Sequence, residues 1–385
     1  MNTVAELHCL CVNAGSSSLK LALYAVAPNG AERRLCEGSA LEIGLPESAI
    51  EVGGQIEHRP LADHRAALEA LLDALAPPRV DAIGHRVVHG GDHTRPERVT
   101  PQLLTRLEAL TPLAPLHNPS ALAGIRAVAA HLPDTPQVAC FDTAFHATLP
   151  EVARTLPLAR CYRELGLRRY GFHGLSYEYI TRKLGVQAKG RVVVAHLGNG
   201  ASLAALRDGR SVDTTMGLTP TGGVMMGTRS GDLDPGVLLY LMREAKLDAA
   251  ALERAVNHEA GLLGVSDKSS DMAELLASDT HEARLAIALF AYEVRKAIGA
   301  LAAALGGMDR MVFTGGIGEH AAPVRWAICR GLEHLGIELD AAANTAGAAL
   351  ISTPQSGCPV HVMATDEDAM IARHVYELLE TADAK

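Results

Sequence analysis

Three clusters of glycine and small residues in this sequence have the composition of anion-binding turns. They are Gly15-Ser16-Ser17-Ser18, Gly198-Asn199-Gly200 and Gly315-Gly316-Ile317-Gly318, and each follows a predicted strand. Because glycine has no Cβ, consecutive backbone N–H groups in such turns can approach a phosphate closely. One cluster alone would usually be an ordinary tight turn, but three of them favour a nucleoside triphosphate as the ligand.

The familiar nucleotide-binding motifs are matched only in part. The sequence contains no Gly-Lys-Ser or Gly-Lys-Thr, which excludes a Walker A loop. The spacing Gly316-x-Gly318-x-x-Ala321, with Glu338 further along, satisfies a loose dinucleotide fingerprint. An NAD-dependent dehydrogenase is therefore an alternative, although it leaves the other two glycine clusters unexplained.

Two arginines are candidates for binding an anion. Arg86 lies within an apolar strand pattern, where a guanidinium is costly to bury unless it forms an internal salt bridge or meets an anionic ligand. Arg229 lies in a loop between Gly227 and Gly231. Two such arginines suit a planar carboxylate and a phosphoryl group in transfer.

Three further polar residues are candidates for the same site. His173 lies between Gly171 and Gly174, which favour close approach of a ligand, although a hydrogen-bonded core histidine would give the same signal. Asp142 follows a predicted strand and is equally consistent with a cap. Thr365 predicts an N-cap with Asp368 at the capping-box position, which leaves Glu367 free to hold Mg²⁺.

Several classes of protein are excluded by motif or composition. The sequence has no H-E-x-x-H and no G-x-S-x-G, and His85 and His89 on a predicted strand would lie about 13 Å apart, too far to share a metal. With 35 basic and 44 acidic residues, the net charge is −9 and no basic stripe indicates nucleic-acid binding. The longest apolar helical stretch, 286–305, contains charged residues and predicts no membrane span.

The expected setting is the cytoplasm. The first fifteen residues show no secretory signal, and the seven cysteines are odd in number, scattered and without a C-x-x-C pair. A length of 385 residues predicts two domains.

Hydrophobic patterning predicts an α/β architecture. Strands are expected at 7–12, 19–26, 82–88, 137–141, 191–196, 201–206, 310–313 and 359–364, and helices at 61–75, 101–110, 120–131, 235–244, 249–258, 281–305 and from 367 onward. The alternation of strands and helices predicts largely parallel sheets. Residues 12–19 and 196–203 have the same pattern, which predicts two related halves, closely packed, with a cleft between them.

Several motifs together resemble the acetate kinases. They are VNAGSSSLK (12–20), HRVVHGG (85–91), RYGFHG (169–174), HLGNGAS (196–202), MMGTRSGDLDP (225–235) and FTGGIGE (313–319). The resemblance implies two ribonuclease H-like domains of the acetate and sugar kinase, Hsp70 and actin type, with an active-site cleft between them. The expected domains are residues 1–146 plus 368–385, and residues 147–367. A homodimer is also implied.

The resemblance also implies roles for individual residues. Asn13 and Glu367 would position Mg²⁺, for which Mn²⁺ can substitute, and the catalytic set would be Asp142, His173 and Arg229. Acetate would contact Arg86 and a small pocket formed by Val88, Leu116, Phe172 and Pro220. ATP would contact Ser16, Ser18, Lys20, His196, Leu197, Gly198, Asn199, Gly200, Asp271, Met272, Ala273, Gly315, Gly316, Ile317, Gly318 and Glu319.

The sequence departs from the family pattern at two places. Ala273 stands where the family usually has an arginine near the adenosine, which leaves the base preference open. Thr221 and Gly222 replace the usual Leu-Glu after Pro220.

The activity implied is reversible transfer of a phosphoryl group from ATP to acetate, giving acetyl phosphate and ADP. The acetate carboxylate has a pKa of about 4 to 5 and is already ionised at neutral pH, so an in-line displacement needs no general base. A propionate or butyrate kinase, with a pocket wider at Val88, remains an alternative. So does an ATPase of the same superfamily that passes no phosphate to a carboxylate.

Overall fold

The computed structural model describes residues 6–383, which form two compact units. Unit 1 contains the chain up to Phe145, Gly174–Tyr179 and the chain from Asp366 onward, and unit 2 contains His146–His173 and Ile180–Thr365. Residues 1–5, part of the segment judged for a secretory signal, and residues 384–385, the end of the first expected domain, lie outside the described residues.

The described chain contains thirteen strands and fifteen α-helices. The strands are β1 (Leu7–Ala14), β2 (Leu19–Val26), β3 (Glu32–Leu41), β4 (Ala49–Val52), β5 (Gln55–His58), β6 (Ala82–Val87), β7 (Glu97–Arg98), β8 (Gln137–Phe141), β9 (Arg191–Leu197), β10 (Ala201–Arg207), β11 (Arg210–Thr214), β12 (Arg310–Thr314) and β13 (Val360–Val362). The helices are α1 (His64–Leu75), α2 (Pro101–Ala109), α3 (Asn118–His131), α4 (Glu151–Arg154), α5 (Arg160–Arg163), α6 (Gly174–Leu184), α7 (Pro235–Arg243), α8 (Ala249–Asn257), α9 (Gly261–Ser266), α10 (Met272–Leu276), α11 (His281–Leu305), α12 (Gly315–His320), α13 (Ala322–Cys329), α14 (Ala341–Thr345) and α15 (Glu367–Asp383).

Both sheets are mixed. In unit 1 the strand order is β5-β4-β3-β2-β1-β6-β8-β7, and in unit 2 it is β11-β10-β9-β12-β13. The parallel pairs are β1 with β6, β6 with β8, β9 with β12 and β12 with β13. The prediction of largely parallel sheets is therefore wrong. Short connections join β1 through β5, and β9 through β11, and such connections give antiparallel neighbours.

The two sheets share one topology. The order β3-β2-β1-β6-β8 in unit 1 corresponds to β11-β10-β9-β12-β13 in unit 2, with the same pattern of parallel and antiparallel pairs. The repeated pattern at 12–19 and 196–203 lies in both cases at the turn of the first hairpin. The structure therefore agrees with the prediction of two related halves.

The central strand of unit 1 is buried on both faces. Leu10 and Val12 belong to the apolar cluster that includes α1 and α3, while Cys9 and Cys11 belong to the cluster on the opposite face, which includes α15. Alternate residues of a strand point to opposite faces, so β1 is held between two layers of helices. Its end, at Asn13 and Ala14, is thereby fixed.

Unit 2 depends on its longest helix. α11 buries residues at helical spacing, among them Phe290, Val294 and Ile298, and packs against β10 and α9. Thr280 begins the helix, with its side chain accepting a hydrogen bond from the backbone N–H of Ala283, and Gly306 ends it in the left-handed conformation. The sheet that carries the second and third glycine clusters is thus supported from one side along its length.

Candidate active site

In unit 1 the structure brings together three of the predicted residues as one ionic cluster. Nη2 of Arg86 lies 2.7 Å from Oδ2 of Asp142, and Nη1 lies 3.1 Å from Oε2 of Glu367. Arg86 is near the end of β6, Asp142 follows β8, and Glu367 begins α15. The internal salt bridge considered for Arg86 is therefore present. Burial alone would lower the pKa of Arg86, but the two carboxylates raise it above its ordinary value.

The charge of this cluster suits a divalent cation. One guanidinium faces two carboxylates, so Arg86, Asp142 and Glu367 together carry a formal charge of −1. Mg²⁺ is usually held by one or two carboxylates together with water and phosphate oxygens. Within residues 6–383 no group of three or more His, Cys, Asp or Glu side chains could hold a metal on its own. The donor set thus fits an ion that keeps most of its water and phosphate ligands.

Asn13 and Lys20 are paired neighbours at the ends of β1 and β2. Lys20 Nζ lies 3.2 Å from Oδ2 of Asp368 and 3.8 Å from a Glu37 oxygen. Ser16 is exposed, and the Ser18 carbonyl accepts a hydrogen bond of 2.8 Å from Gly15 N. In this structure Lys20 is thus directed at carboxylates.

The cap of α15 differs from its prediction. Asp366 Oδ1 accepts a hydrogen bond from Ala369 N at 2.9 Å, so Asp366 is the N-cap and Thr365 is not. The Thr365 hydroxyl is buried and has no partner among the described residues. Because the helix begins one residue later than predicted, Asp368 is not at the capping-box position, and its carboxylate pairs with Lys20.

Val88 and Leu116, predicted for the acetate pocket, lie on two segments that are held together. His89 N donates to Oδ1 of Asn118, and Nδ2 of Asn118 donates to the His89 carbonyl, both at 3.1 Å. His89 and Asn118 are fully buried, whereas Val88 and Leu116 are half-buried. The His89–Asn118 pair was not predicted, since His-Asn-Pro reads as a turn without indicating its partner.

In unit 2, His173 has an unusual conformation. Its φ is 56°, in the left-handed region, and it stands at the start of α6. Nδ1 lies 2.9 Å from Oγ of Ser202, and the imidazole stacks on the ring of His196 with centroids 4.3 Å apart. Ser202 was also missed: it lies in a quoted motif, but its position beside His173 depends on β10 pairing with β9.

Arg229 converges with His173 over Gly200. A Cβ placed on Gly200 would lie 3.4 Å from Nε2 of His173 and 3.7 Å from Nη1 of Arg229. Nη1 of Arg229 also donates to the Pro220 carbonyl at 3.2 Å. Pro220 and Phe172, the other predicted pocket residues, are buried. A cation and an imidazole thus face one glycine of the second glycine cluster.

A cavity of about 420 Å³ in unit 2 is lined by seven of the sixteen predicted nucleotide contacts. Such a volume suits a small-molecule ligand. Ala273 lies on its wall, where the Asp271 side chain accepts hydrogen bonds from the backbone at the start of α10. The lining comprises Gly198, Asn199, Ser270, Asp271, Met272, Ala273, Leu276, Gly316, Ile317, His320 and Ala321.

The third glycine cluster is the first turn of a helix and not a loop. Gly315, with φ of 76°, reverses the chain after β12, and α12 begins there. Oε1 of Glu319 accepts hydrogen bonds from Gly315 N at 3.0 Å and from Thr365 N at 3.4 Å. The first N–H groups of a helix have no helical partner, and at Gly315 the Glu319 carboxylate accepts that hydrogen bond.

Comparison with known proteins gives a consistent result. A sequence model of the acetokinase family matches residues 8–373. An acetate kinase of Methylocella silvestris is 48% identical over 96% of this chain and 97% of its own length. A propionate kinase of Citrobacter rodentium is 45% identical over 96% of each.

Solved structures agree with these matches. The acetate kinase of Porphyromonas gingivalis has a TM-score of 0.87 and 38% identity, covering 97% of this chain and 100% of its own. A propionate kinase of Francisella tularensis has a TM-score of 0.91 and 35% identity, covering 96% and 99%. Within residues 6–383, no helix is long and apolar enough to cross a membrane.

Two buried histidines predict how stability depends on pH. Burial lowers the pKa of both His85 and His146 to about 4, although hydrogen bonds to Gln137 and to the Phe172 carbonyl oppose the shift. An unfolded chain binds these protons near pH 6.5, so stability is full above that pH. It should fall between pH 6.5 and 4 by up to about 1.4 kcal/mol per pH unit for each histidine.

Calorimetric Tm values from pH 4.5 to 7.5 measure this loss. His85→Gln should make Tm depend less steeply on pH. His58→Gln, at an exposed residue of β5, is the control and should leave the pH dependence of Tm unchanged. Equal slopes in wild type and His85→Gln would contradict the prediction.

Proposed function

Because the chain belongs to the acetokinase family and is a phosphotransferase, we propose that it transfers the γ-phosphoryl group of ATP reversibly to acetate. The products are acetyl phosphate and ADP. The observation that carries this proposal is the convergence of His173 and Arg229 over Gly200, in the same glycine cluster that lines the 420 Å³ cavity through Gly198 and Asn199.

The chemistry needs charge neutralisation more than proton transfer. Acetate is ionised at neutral pH and attacks the phosphorus in line with the leaving ADP oxygen. Arg229 and His173 offset the negative charge on the phosphoryl oxygens by donating N–H groups to them. Arg86 orients the acetate carboxylate, and Asp142 orients Arg86 through their ion pair.

We propose Asn13 and Glu367 as the residues that hold Mg²⁺, with Mn²⁺ as a substitute. When bound there, the ion would supply positive charge that offsets the charge of the phosphates. Glu367 is already beside Arg86, so the carboxylate is oriented before the ion arrives. Ser16, Ser18 and Lys20 are proposed near the phosphates. The other proposed ATP contacts are His196, Leu197, Gly198, Asn199, Gly200, Asp271, Met272, Ala273, Gly315, Gly316, Ile317, Gly318 and Glu319.

A propionate kinase is the second candidate. The relatives of similar identity include enzymes with either name, and the proposed pocket residues, Val88, Leu116, Phe172 and Pro220, are apolar. One methylene changes transition-state binding by only about 1 to 3 kcal/mol. We therefore expect acetate to be preferred and propionate to be used more slowly.

We also propose that the protein is cytoplasmic and that its two domains comprise residues 1–146 plus 368–385 and residues 147–367. All seven cysteines are free thiols, which suits a reducing compartment.

We further propose that the protein is a homodimer. In α7 and α8 no residue is buried, and Val237, Leu239 and Tyr240 of α7 are 43%, 48% and 64% exposed. A helix so apolar on its exposed side is typical of a contact surface.

Trapping the product with hydroxylamine tests the proposed reaction. With acetate, ATP and Mg²⁺ the enzyme should form acetohydroxamate and ADP. EDTA should abolish the product, and excess Mg²⁺ should restore it. Acetate should give a higher kcat/KM than propionate or butyrate, and a panel of nucleoside triphosphates measures the base preference. ATP hydrolysis without any hydroxamate would contradict the proposal, and a higher kcat/KM for propionate would favour the second candidate.

Removing Arg229 tests the proposed neutralisation of charge. Arg229→Ala should lower kcat roughly 10³-fold, as for other arginines that act in phosphoryl transfer. Arg229→Lys, which keeps the charge but loses the planar fork, should be intermediate. Arg207→Ala, at the exposed end of β10, is the control. A loss below tenfold in steady-state assays for Arg229→Ala would place this residue outside the reaction.

Replacing Tyr240 tests the proposed dimer contact. Tyr240→Asp should raise the dimer Kd at least about 100-fold, because a charge would be buried in an apolar contact. Sedimentation at several concentrations measures this Kd. Ile56→Asp, at a residue equally exposed in unit 1, should leave it unchanged. An unchanged Kd for Tyr240→Asp would exclude α7 from the dimer contact.

A further inference from the structure

His146 is a buried histidine in unit 2 that contacts the turn carrying His173. Its Nε2 lies 3.0 Å from the Phe172 carbonyl oxygen, and its Nδ1 lies 2.8 Å from Oγ of Ser211 on β11. A carbonyl can only accept, so Nε2 carries the proton and the Ser211 hydroxyl donates to Nδ1. The two contacts fix one tautomer and one ring orientation.

The turn that His146 contacts is conformationally costly. Gly171 has φ of 79° and His173 has φ of 56°, and a side chain in this region is held there only by its surroundings. The N–H groups of Tyr170 and Gly171 both point at the Gly217 carbonyl, at 3.0 and 3.4 Å. At Phe172 the turn is held by the hydrogen bond between its carbonyl and Nε2 of His146.

The imidazole of His146 also packs on the backbone of the turn. A Cβ built on Gly171 would lie 2.6 Å from Cδ2 of His146 and 2.7 Å from a methyl carbon of Thr214. The ring therefore fills space that only glycine leaves open. It limits movement of the turn by contact as well as by the hydrogen bond to Phe172.

We propose that His146 is a positioning residue for phosphoryl transfer: it holds the Phe172 carbonyl and so fixes the direction in which the next residue, His173, projects toward Gly200. The inference rests on the proposed function, in which His173 stabilises the transition state. His146 acts through the backbone, whereas Ser202 acts on the ring of His173 itself. The reaction thus depends on two separate supports of one imidazole.

The neutral state of His146 suits this role. Burial lowers its pKa to about 4, and the positive charge of Arg169 lowers it further, while the Phe172 carbonyl has the opposite effect. The ring therefore keeps a single proton through the pH range in which a kinase is assayed. A doubly protonated ring would lose the hydrogen bond from Ser211.

The proposal is tested by steady-state kinetics on His146 variants. His146→Leu should lower kcat about 10-fold to 100-fold, because misplacement of a catalytic group by about 1 Å costs up to about 100-fold. The KM for ATP should stay within about twofold, since His146 does not line the nucleotide cavity. His146→Gln, which keeps an N–H donor at a similar reach, should recover kcat to within about threefold of wild type.

A double-mutant cycle separates positioning from general stability. In a His173→Ala background, His146→Leu should cost less than about threefold in kcat, because the group that it positions is gone. Val294→Ala, in the buried face of α11, is the control for a loss of packing in unit 2 and should leave kcat unchanged. Thermal unfolding of each variant gives the stability comparison.

The outcomes are distinct. Equal losses from His146→Leu with and without His173, or the same kcat loss in Val294→Ala, would overturn the proposal. If His146→Leu does not fold, Ser211→Ala carries the test: it should lower kcat in the wild-type background and not in His173→Ala. Failure of the wild-type enzyme to form hydroxamate would instead contradict the proposed function itself.

Discussion

The pairing of Arg86 with Asp142 and Glu367 is the interaction on which unit 1 depends. A buried guanidinium is tolerated only with compensating anions, and here these come from the ends of β8 and α15, far apart in the sequence. Because separating these charges would cost free energy, the ion pairs hold the ends of β6 and β8 and the start of α15 together. They also leave one negative charge in excess, which suits the binding of a divalent cation.

In unit 2 the candidate site residues are held in position by backbone conformation and not by an ionic cluster. Its candidate site residue His173 is positioned by backbone geometry, because it occupies a left-handed conformation that the surrounding turn must maintain. Ser202, His196 and the Gly217 carbonyl all contribute. Strain of this kind persists where packing over-determines it, which is why the residues around His173 are small or buried.

The sequence predicted the family and the fold class, and both are confirmed. It also placed most elements well: β2, β8 and α11 have the bounds that hydrophobic patterning indicated. The hairpin β4 and β5 was missed, because β5 is exposed along its whole length and so has no alternating pattern. The start of α1 was placed too early, since the Asp63 cap begins the helix at His64.

What could not be predicted about the site depends on contacts between distant residues. A strand pattern identifies Arg86 as largely buried but does not identify its partners, which lie 56 and 281 positions further along the chain. Glycine content likewise identified Gly315–Gly318 without showing that the segment is helical, since glycine fits both turns and helix starts. The roles proposed for individual residues stay predictions.

The choice of nucleophile explains why this site could be recognised from motifs at all. An enzyme that must deprotonate its substrate needs a base with a shifted pKa, and such shifts arise from burial that no local pattern encodes. In the proposed reaction acetate arrives ionised, so the protein has only to supply N–H donors, cations and a restricted geometry. Glycine turns, arginines and a histidine between glycines are the residue types for these tasks. Each of them can be seen within a short stretch of sequence. What remains hidden in the sequence is how these residues are held, such as Ser202 behind His173 and the pairing of Asp142 with Arg86.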